Sequence, residues 1–154
     1  MNEKINILNI ELYQTSAKAA MQKVVQYMES DSINTVEIIT MDMLLKGKDM
    51  PGWKEAVESL NLVLPGETEI LEAAGVREKT LLRDTAGQVF LKMFLRYIQR
   101  NKKRVFLVAQ SETELLEMES AIREHDRKLI LAGRGVLPPG WCGNRAGDQC
   151  GQWC

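Results

Sequence analysis

Apolar runs of strand length alternate with segments of helical period along most of this 154-residue chain. The strand-like runs are rich in β-branched and aliphatic residues, whereas the helix-like segments repeat apolar residues at spacings of three and four. Strands are predicted at residues 5–12, 35–40, 61–64, 104–109 and 128–133. This alternation predicts an α/β fold: a Rossmann-like, doubly wound and mainly parallel sheet of about five strands with flanking helices.

Several local signals place the helices between these strands. Thr85 with Gln88, and Ser111 with Glu114, have the spacing of capping boxes that open two long helices. Gly75 is a typical C-terminal stop for the shorter helix that follows the third strand. The run 104–109 carries no polar residue after Arg104, which predicts a strand buried on both faces.

The pattern ends abruptly after the fifth predicted strand. Residues 135–154 contain two adjacent prolines, many glycines and all three cysteines, Cys142, Cys150 and Cys154, but no strand or helix period. We therefore expect an incomplete α/β domain at residues 1–134 and an irregular Gly/Cys/Trp-rich tail at 135–154, and we expect the end to be truncated or frame-shifted. The cysteine spacings do not form a zinc knuckle, so no metal site is predicted.

Composition and charge limit which classes of partner the sequence predicts. Twenty basic and twenty-one acidic residues give a net charge of −1, which does not predict nucleic-acid binding. No signal peptide or membrane-spanning run is visible, so the chain is predicted to be cytoplasmic. The basic cluster at residues 96–104 fits either a solvated helix end or contact with an anionic membrane surface.

Small, polar and acidic residues follow several of the predicted strands. They are Thr40 and Asp42, Gly66 and Glu67, and Gln110. In a doubly wound sheet, ligands bind at the carboxyl ends of the strands, so these residues predict a sugar or nucleotide pocket along one rim. A first-turn acid such as Glu67 equally fits a simple complement to the helix dipole, and the pattern leaves both interpretations open. No dinucleotide or P-loop fingerprint is present.

Three stretches together resemble a known enzyme family. They are "INILNIELYQTSAKAAMQKVVQYM", "LNLVLPGE" and "RVFLVAQSETELLEMESAI". In order and pattern they resemble the WecG/TagA/CpsF glycosyltransferases of bacterial surface polymers, over about residues 4–134. The resemblance implies transfer of an N-acetylmannosamine-type sugar from a UDP-sugar to a lipid-diphosphate-linked acceptor at the membrane surface, with no metal or other cofactor. It also implies a peripheral location at the inner face of the membrane when the family's C-terminal part is present; self-association is left open.

The resemblance also suggests roles for individual residues. Thr40 matches a pocket-lining threonine of the family, and Asp42 stands where the family has an asparagine. Gly66 occupies the place of the aspartate proposed as general base, so Glu67 is the nearest carboxylate for that role. Arg83 corresponds to an arginine that faces the diphosphate.

A rival interpretation is a non-catalytic, Rossmann-like module that binds a nucleotide sugar or a partner subunit. The glycine at position 66 and the missing C-terminal strands favour it, whereas the preserved strand ends favour the enzyme. An unrelated sensor-like α/β domain would need an acidic cluster after the first strand, where Leu12, Tyr13 and Gln14 offer none.

Overall fold

A computed structural model describes residues 3–125 and 127–138 of the chain. The chain divides into two compact units, Met1–Phe94 and Leu95–Cys154. The first unit contains, in chain order, β1 (Glu3–Ile7), β2 (Ile10–Gln14), α1 (Ala17–Glu29), β3 (Val36–Ile39), α2 (Met41–Gly47), α3 (Trp53–Glu58), β4 (Leu62–Pro65), α4 (Thr68–Ala73) and α5 (Lys79–Arg83). Helix α6 (Ala86–Arg100) spans the division, and β5 (Arg104–Ala109), α7 (Glu112–His125) and β6 (Ile130–Val136) complete the second unit.

The mixed α/β prediction is confirmed, but the strands are paired in a different way from the predicted sheet. Within the described residues they form three two-stranded sheets: β1 with β2, β3 with β4, and β5 with β6. The last two pairs are parallel, as predicted, whereas β1 and β2 are antiparallel. A continuous five-stranded sheet is therefore not confirmed over residues 3–125 and 127–138.

The predicted first strand is a hairpin, so the single strand at 5–12 is wrong. Leu8 (φ 49°) and Asn9 (φ 65°) both have left-handed backbone conformations, and Ile7 pairs directly with Ile10 across them. Two central residues with positive φ form a type I′ turn, whose twist suits a two-residue hairpin. Leu8 hid this turn from the pattern, because an apolar residue there makes the run look continuous.

The parallel pair β3–β4 is the centre of the first unit. All four residues of β4 are buried, which explains its unbroken apolar sequence. The crossover between the two strands contains the short helices α2 and α3, and the sequence pattern did not predict α2. After β4, helix α4 ends where Gly75 takes a φ of 84°, which confirms the predicted stop.

A hydrophobic core lies around the strands of the first unit. It joins the inward residues of the hairpin to β3, α2, α3 and α4, and its fully buried members include Ile10, Leu12, Ile39, Leu44 and Ile70. Helix α1 buries Ala17, Ala20, Met21 and Val24, the face that the helical period predicts. The core thus fixes β3 and β4 beneath the loops that follow them.

The second unit is a strand–helix–strand motif. Helix α7 packs on one face of β5 and β6, where Leu107, Ala109 and Leu115 are buried. Phe106 and Val108 on the other face are 60% and 45% exposed, so the prediction that 104–109 is buried on both faces is wrong. Apolar composition alone does not reveal how many helices cover a strand.

Charged side chains fasten β6 to α7. Glu119 lies 3.0 Å from Arg123 one turn along α7 and 3.0 Å from Arg134 on β6. The hydrogen bond from Arg123 and the positive charges of both guanidinium groups lower the pKa of the Glu119 carboxyl below its usual value of 4.5. The folded chain therefore holds this carboxylate ionised to a lower pH than the unfolded chain does.

This arrangement predicts how Glu119 affects acid stability. Because its pKa is lowered by folding, its contribution is complete above pH 4.5 and is lost as the pH falls through the folded-state value. Thermal unfolding measured from about pH 6 to about pH 3 should show a smaller loss of Tm for Glu119→Gln than for the wild type. Equal slopes for the wild type and for Glu119→Gln would contradict the prediction.

Candidate functional site

The carboxyl ends of β3 and β4 bring three of the predicted residues side by side. Ile39 pairs with Pro65 at the end of the parallel ladder, and the Gly66 amide donates to the Ile39 carbonyl at 2.8 Å. Thr40 follows Ile39, and Glu67 follows Gly66. Thr40 and Glu67 therefore lie close together on this rim. Both side chains are half-buried.

Glu67 uses its carboxylate to bind the neighbouring helix. Its Oε2 atom accepts a hydrogen bond of 2.8 Å from the amide of Met41, the first residue of α2. Glu67 also occupies the N-cap position of α4, but its side chain makes no capping bond there. The dipole interpretation is therefore partly right, although the helix that benefits is α2 and not the one that follows Glu67 in sequence.

Thr40 and Asp42 have different neighbours. Thr40 caps α2, because its Oγ1 atom accepts from the amide of Met43 at 3.2 Å. Asp42 is exposed and forms an ion pair of 2.7 Å with Lys46, one turn along the same helix. The rim thus keeps Thr40 close to Glu67, whereas the Asp42 carboxylate is directed along the surface of α2.

A second polar connection, which sequence reasoning missed, lies beside this rim. Thr68, the residue after Glu67, places its hydroxyl 2.9 Å from that of Thr85, and Thr85 donates to the Leu82 carbonyl at 2.6 Å. Thr85 is only 2% exposed, and Thr68 is half-buried. The capping-box pattern had assigned Thr85 only to its own helix, and the Gln88 side chain lies outside the described residues.

Asp84 extends this connection to a further helix. Its Oδ2 atom accepts a hydrogen bond of 3.3 Å from the amide of Ala17, the first residue of α1. Two carboxylates, Asp84 and Glu67, thus each satisfy the first amide of a helix that is distant in sequence. In the sequence, the only sign of this contact was an acidic residue immediately before Thr85.

The remaining predicted residues are less closely associated with the rim. Arg83 is exposed at the last turn of α5 and makes no ion pair with any residue in the described ranges. Gln110 is exposed in the second unit, and its backbone N–H donates to the Glu114 carboxylate at 3.2 Å. Ser111 accepts from the Glu114 amide at 3.2 Å, so the predicted capping of α7 is confirmed.

A separate groove of about 600 Å³ lies in the first unit, and the rim residues do not line it. Its walls are mainly apolar and include Val24, Met28, Val36, Phe90 and Phe94. In the described part of the chain, no three His, Cys, Asp or Glu side chains are grouped as a metal ion would require. Cys142, Cys150 and Cys154 lie outside that part.

Comparison with known proteins identifies the family. Residues 5–144 match the glycosyl transferase WecG/TagA/CpsF family. The chain belongs to that family. Membership confirms the predicted resemblance and associates the chain with glycosyltransfer in cell-surface polysaccharide synthesis. The matched range ends at residue 144, past the predicted limit at residue 134. None of the curated proteins compared with the chain matches it.

No helix in residues 3–125 and 127–138 is long and apolar enough to cross a membrane.

Gly66, which stands at the family's aspartate position in the predicted correspondence, is closely packed. A Cβ atom at this position would lie 2.9 Å from Cγ2 of Ile38 and 3.0 Å from the carbonyl oxygen of Ile39. Both distances are shorter than ordinary van der Waals contacts. The packing of this loop therefore requires a residue without a side chain at position 66, and the carboxylate of the turn belongs to Glu67.

Restoring an aspartate at position 66 should therefore destabilise the fold. We expect Gly66→Asp to lower the free energy of unfolding by about 1–3 kcal/mol, because the new Cβ displaces the end of β3. Gly66→Ala is the matched control, since it adds the same Cβ without a charge, and it should be destabilised similarly in urea unfolding. Wild-type stability of either variant would contradict the steric explanation.

Proposed function

We propose that this chain transfers an N-acetylmannosamine-type sugar from a UDP-sugar to the hydroxyl of a lipid-diphosphate-linked acceptor. The observation that carries the proposal is the rim of β3 and β4, where Thr40 and the Glu67 carboxylate adjoin. Carboxyl ends of parallel strands are where α/β folds bind their ligands. Family membership supports glycosyltransfer as the chemistry at this rim.

In the proposed reaction, Glu67 is the general base. Its Oε2 atom is held by the Met41 amide, and Oε1 accepts no hydrogen bond from the described residues, so it remains available to the acceptor hydroxyl. As the acceptor oxygen bonds to the anomeric carbon, its proton passes to Glu67 and the bond from that carbon to the diphosphate oxygen breaks. UDP departs with the bonding electron pair.

The other predicted residues bind the donor in this proposal. The hydroxyl of Thr40 donates to the sugar or diphosphate, since its oxygen already accepts from Met43. Arg83 compensates the charge that develops on the departing diphosphate. Gly66 lets the loop pack closely against Ile38 and Ile39, which sets the position of Glu67, and Asp42 makes an outer contact. The UDP-sugar is the donor substrate, and the proposal includes no separate cofactor.

The wider setting belongs to the same proposal. The alternation of strands and helices and the two parallel pairs support a Rossmann-like, doubly wound arrangement of about five strands. A lipid-linked acceptor would bring the protein to the inner face of the membrane.

Binding is tested by calorimetry with UDP-N-acetylmannosamine. We expect Thr40→Ala to weaken binding about fivefold or more, the equivalent of one lost hydrogen bond of about 1 kcal/mol. Glu69→Ala, which removes the next carboxylate on α4, is the matched control and should bind as the wild type does. The absence of heat with every UDP-sugar would contradict a ligand site at this rim.

Turnover is tested by release of UDP in the presence of a lipid-diphosphate-linked acceptor. Loss of a general base should reduce the rate of Glu67→Ala by about 10²–10⁴-fold, with Glu69→Ala unaffected.

The second candidate function is a module that binds a nucleotide sugar without turnover. Two observations favour it: Gly66 cannot accommodate a side chain without movement, and the Glu67 carboxylate is already engaged with α2. Tight binding of the UDP-sugar by the wild type, with no release of UDP, would select this function.

A further inference from the structure

Arg83 and Asp84 are adjacent in sequence but do not form an ion pair. The Asp84 carboxylate instead accepts from the Ala17 amide, at 3.3 Å, at the start of α1. Arg83 is exposed, and among the described residues no carboxylate neutralises it. A helix start stabilises a nearby anion both through its unpaired amide and through its dipole. The Asp84 carboxylate is therefore bound to the start of α1 and not to the Arg83 guanidinium group.

The turn that contains these residues is also fixed from the other side. Thr85 is buried, and its hydroxyl contacts both the Leu82 carbonyl and the hydroxyl of Thr68. Thr68 directly follows Glu67, the candidate base. The turn from Leu82 to Thr85 is thus attached to the start of α1 through Asp84 and to the start of α4 through Thr85.

We infer that Asp84 is a positioning residue that holds Arg83 ready for the diphosphate of the donor. This inference rests on the proposed function, since it assigns Asp84 a part in binding the same ligand. Asp84 does not touch the ligand; its hydrogen bond to Ala17 orients the turn and keeps its own charge off Arg83. The family motifs of the sequence did not identify this residue.

The sign of one substitution separates positioning from a bystander role. Removing a negative charge near an anionic ligand would by itself strengthen binding. If Asp84 positions Arg83, Asp84→Ala should instead weaken UDP binding by about fivefold, the size of one lost hydrogen bond. Asp84→Asn keeps an oxygen that can accept from Ala17 and should restore binding to at least the wild-type level.

A double-mutant cycle tests whether Asp84 acts through Arg83. We expect Arg83→Gln to weaken UDP binding, and Asp84→Ala to add less than about twofold in that background. Uridine, which lacks phosphate, should bind all variants equally. Glu72→Ala, an exposed acid on α4, is the matched control and should leave the affinity for UDP unchanged.

Calorimetry supplies the affinities, Tm reports folding, and the ¹⁵N shift of Ala17 reports the hydrogen bond. Should Asp84→Ala not fold, Asp84→Ser replaces it, because its shorter side chain does not reach the amide. Asp84→Ala binding as tightly as the wild type or more tightly, or losses that multiply with those of Arg83→Gln, would overturn the inference. A wild-type chain that binds neither UDP nor a UDP-sugar contradicts the proposed function itself, and the inference with it.

Discussion

The hydrogen bond from the Met41 amide to the Glu67 carboxylate is the interaction on which the candidate site depends. The first amides of a helix have no partner within that helix, and burial without one is costly. Glu67 meets this need for α2 from the end of β4, the strand that pairs with β3. The same bond holds one carboxylate oxygen, and the other accepts no hydrogen bond from the described residues. The Glu67 side chain therefore both stabilises the start of α2 and is the proposed general base.

Asp84 repeats this device at α1, and the two carboxylates are connected through Thr68 and Thr85. The resulting set of contacts joins the starts of α1, α2 and α4 to the turn that precedes α6. In this arrangement, each acid serves a helix other than its own. The arrangement explains how residues far apart in the chain are held at one rim although the strands of the unit form only short pairs.

Features with a strong local signal were predictable from the sequence. The period of α1, the capping of α7 by Ser111 and the stop at Gly75 all depend on residues within one or two turns. Leu8 concealed the hairpin because turn patterns rely on glycine or asparagine at both central positions. Helices α2 and α5 are too short to show a clear period.

The site was only partly predictable. Strand ends identified Thr40, Gly66 and Glu67, since the carboxyl edge of parallel strands is a general binding location. The contact of Asp84 with Ala17 spans 67 positions, and no local pattern indicates which helix start a carboxylate will reach. Family membership indicates glycosyltransfer, and the packing around Gly66 leaves Glu67 as the carboxylate of this turn.

Hydrogen exchange of the Met41 amide, followed by NMR, tests the central interaction most directly. If Glu67 accepts this hydrogen bond, Glu67→Ala should speed the exchange of the Met41 amide while leaving the exchange of the β3 amides unchanged. A Met41 amide that exchanges at the same rate in the wild type and in Glu67→Ala would contradict the account.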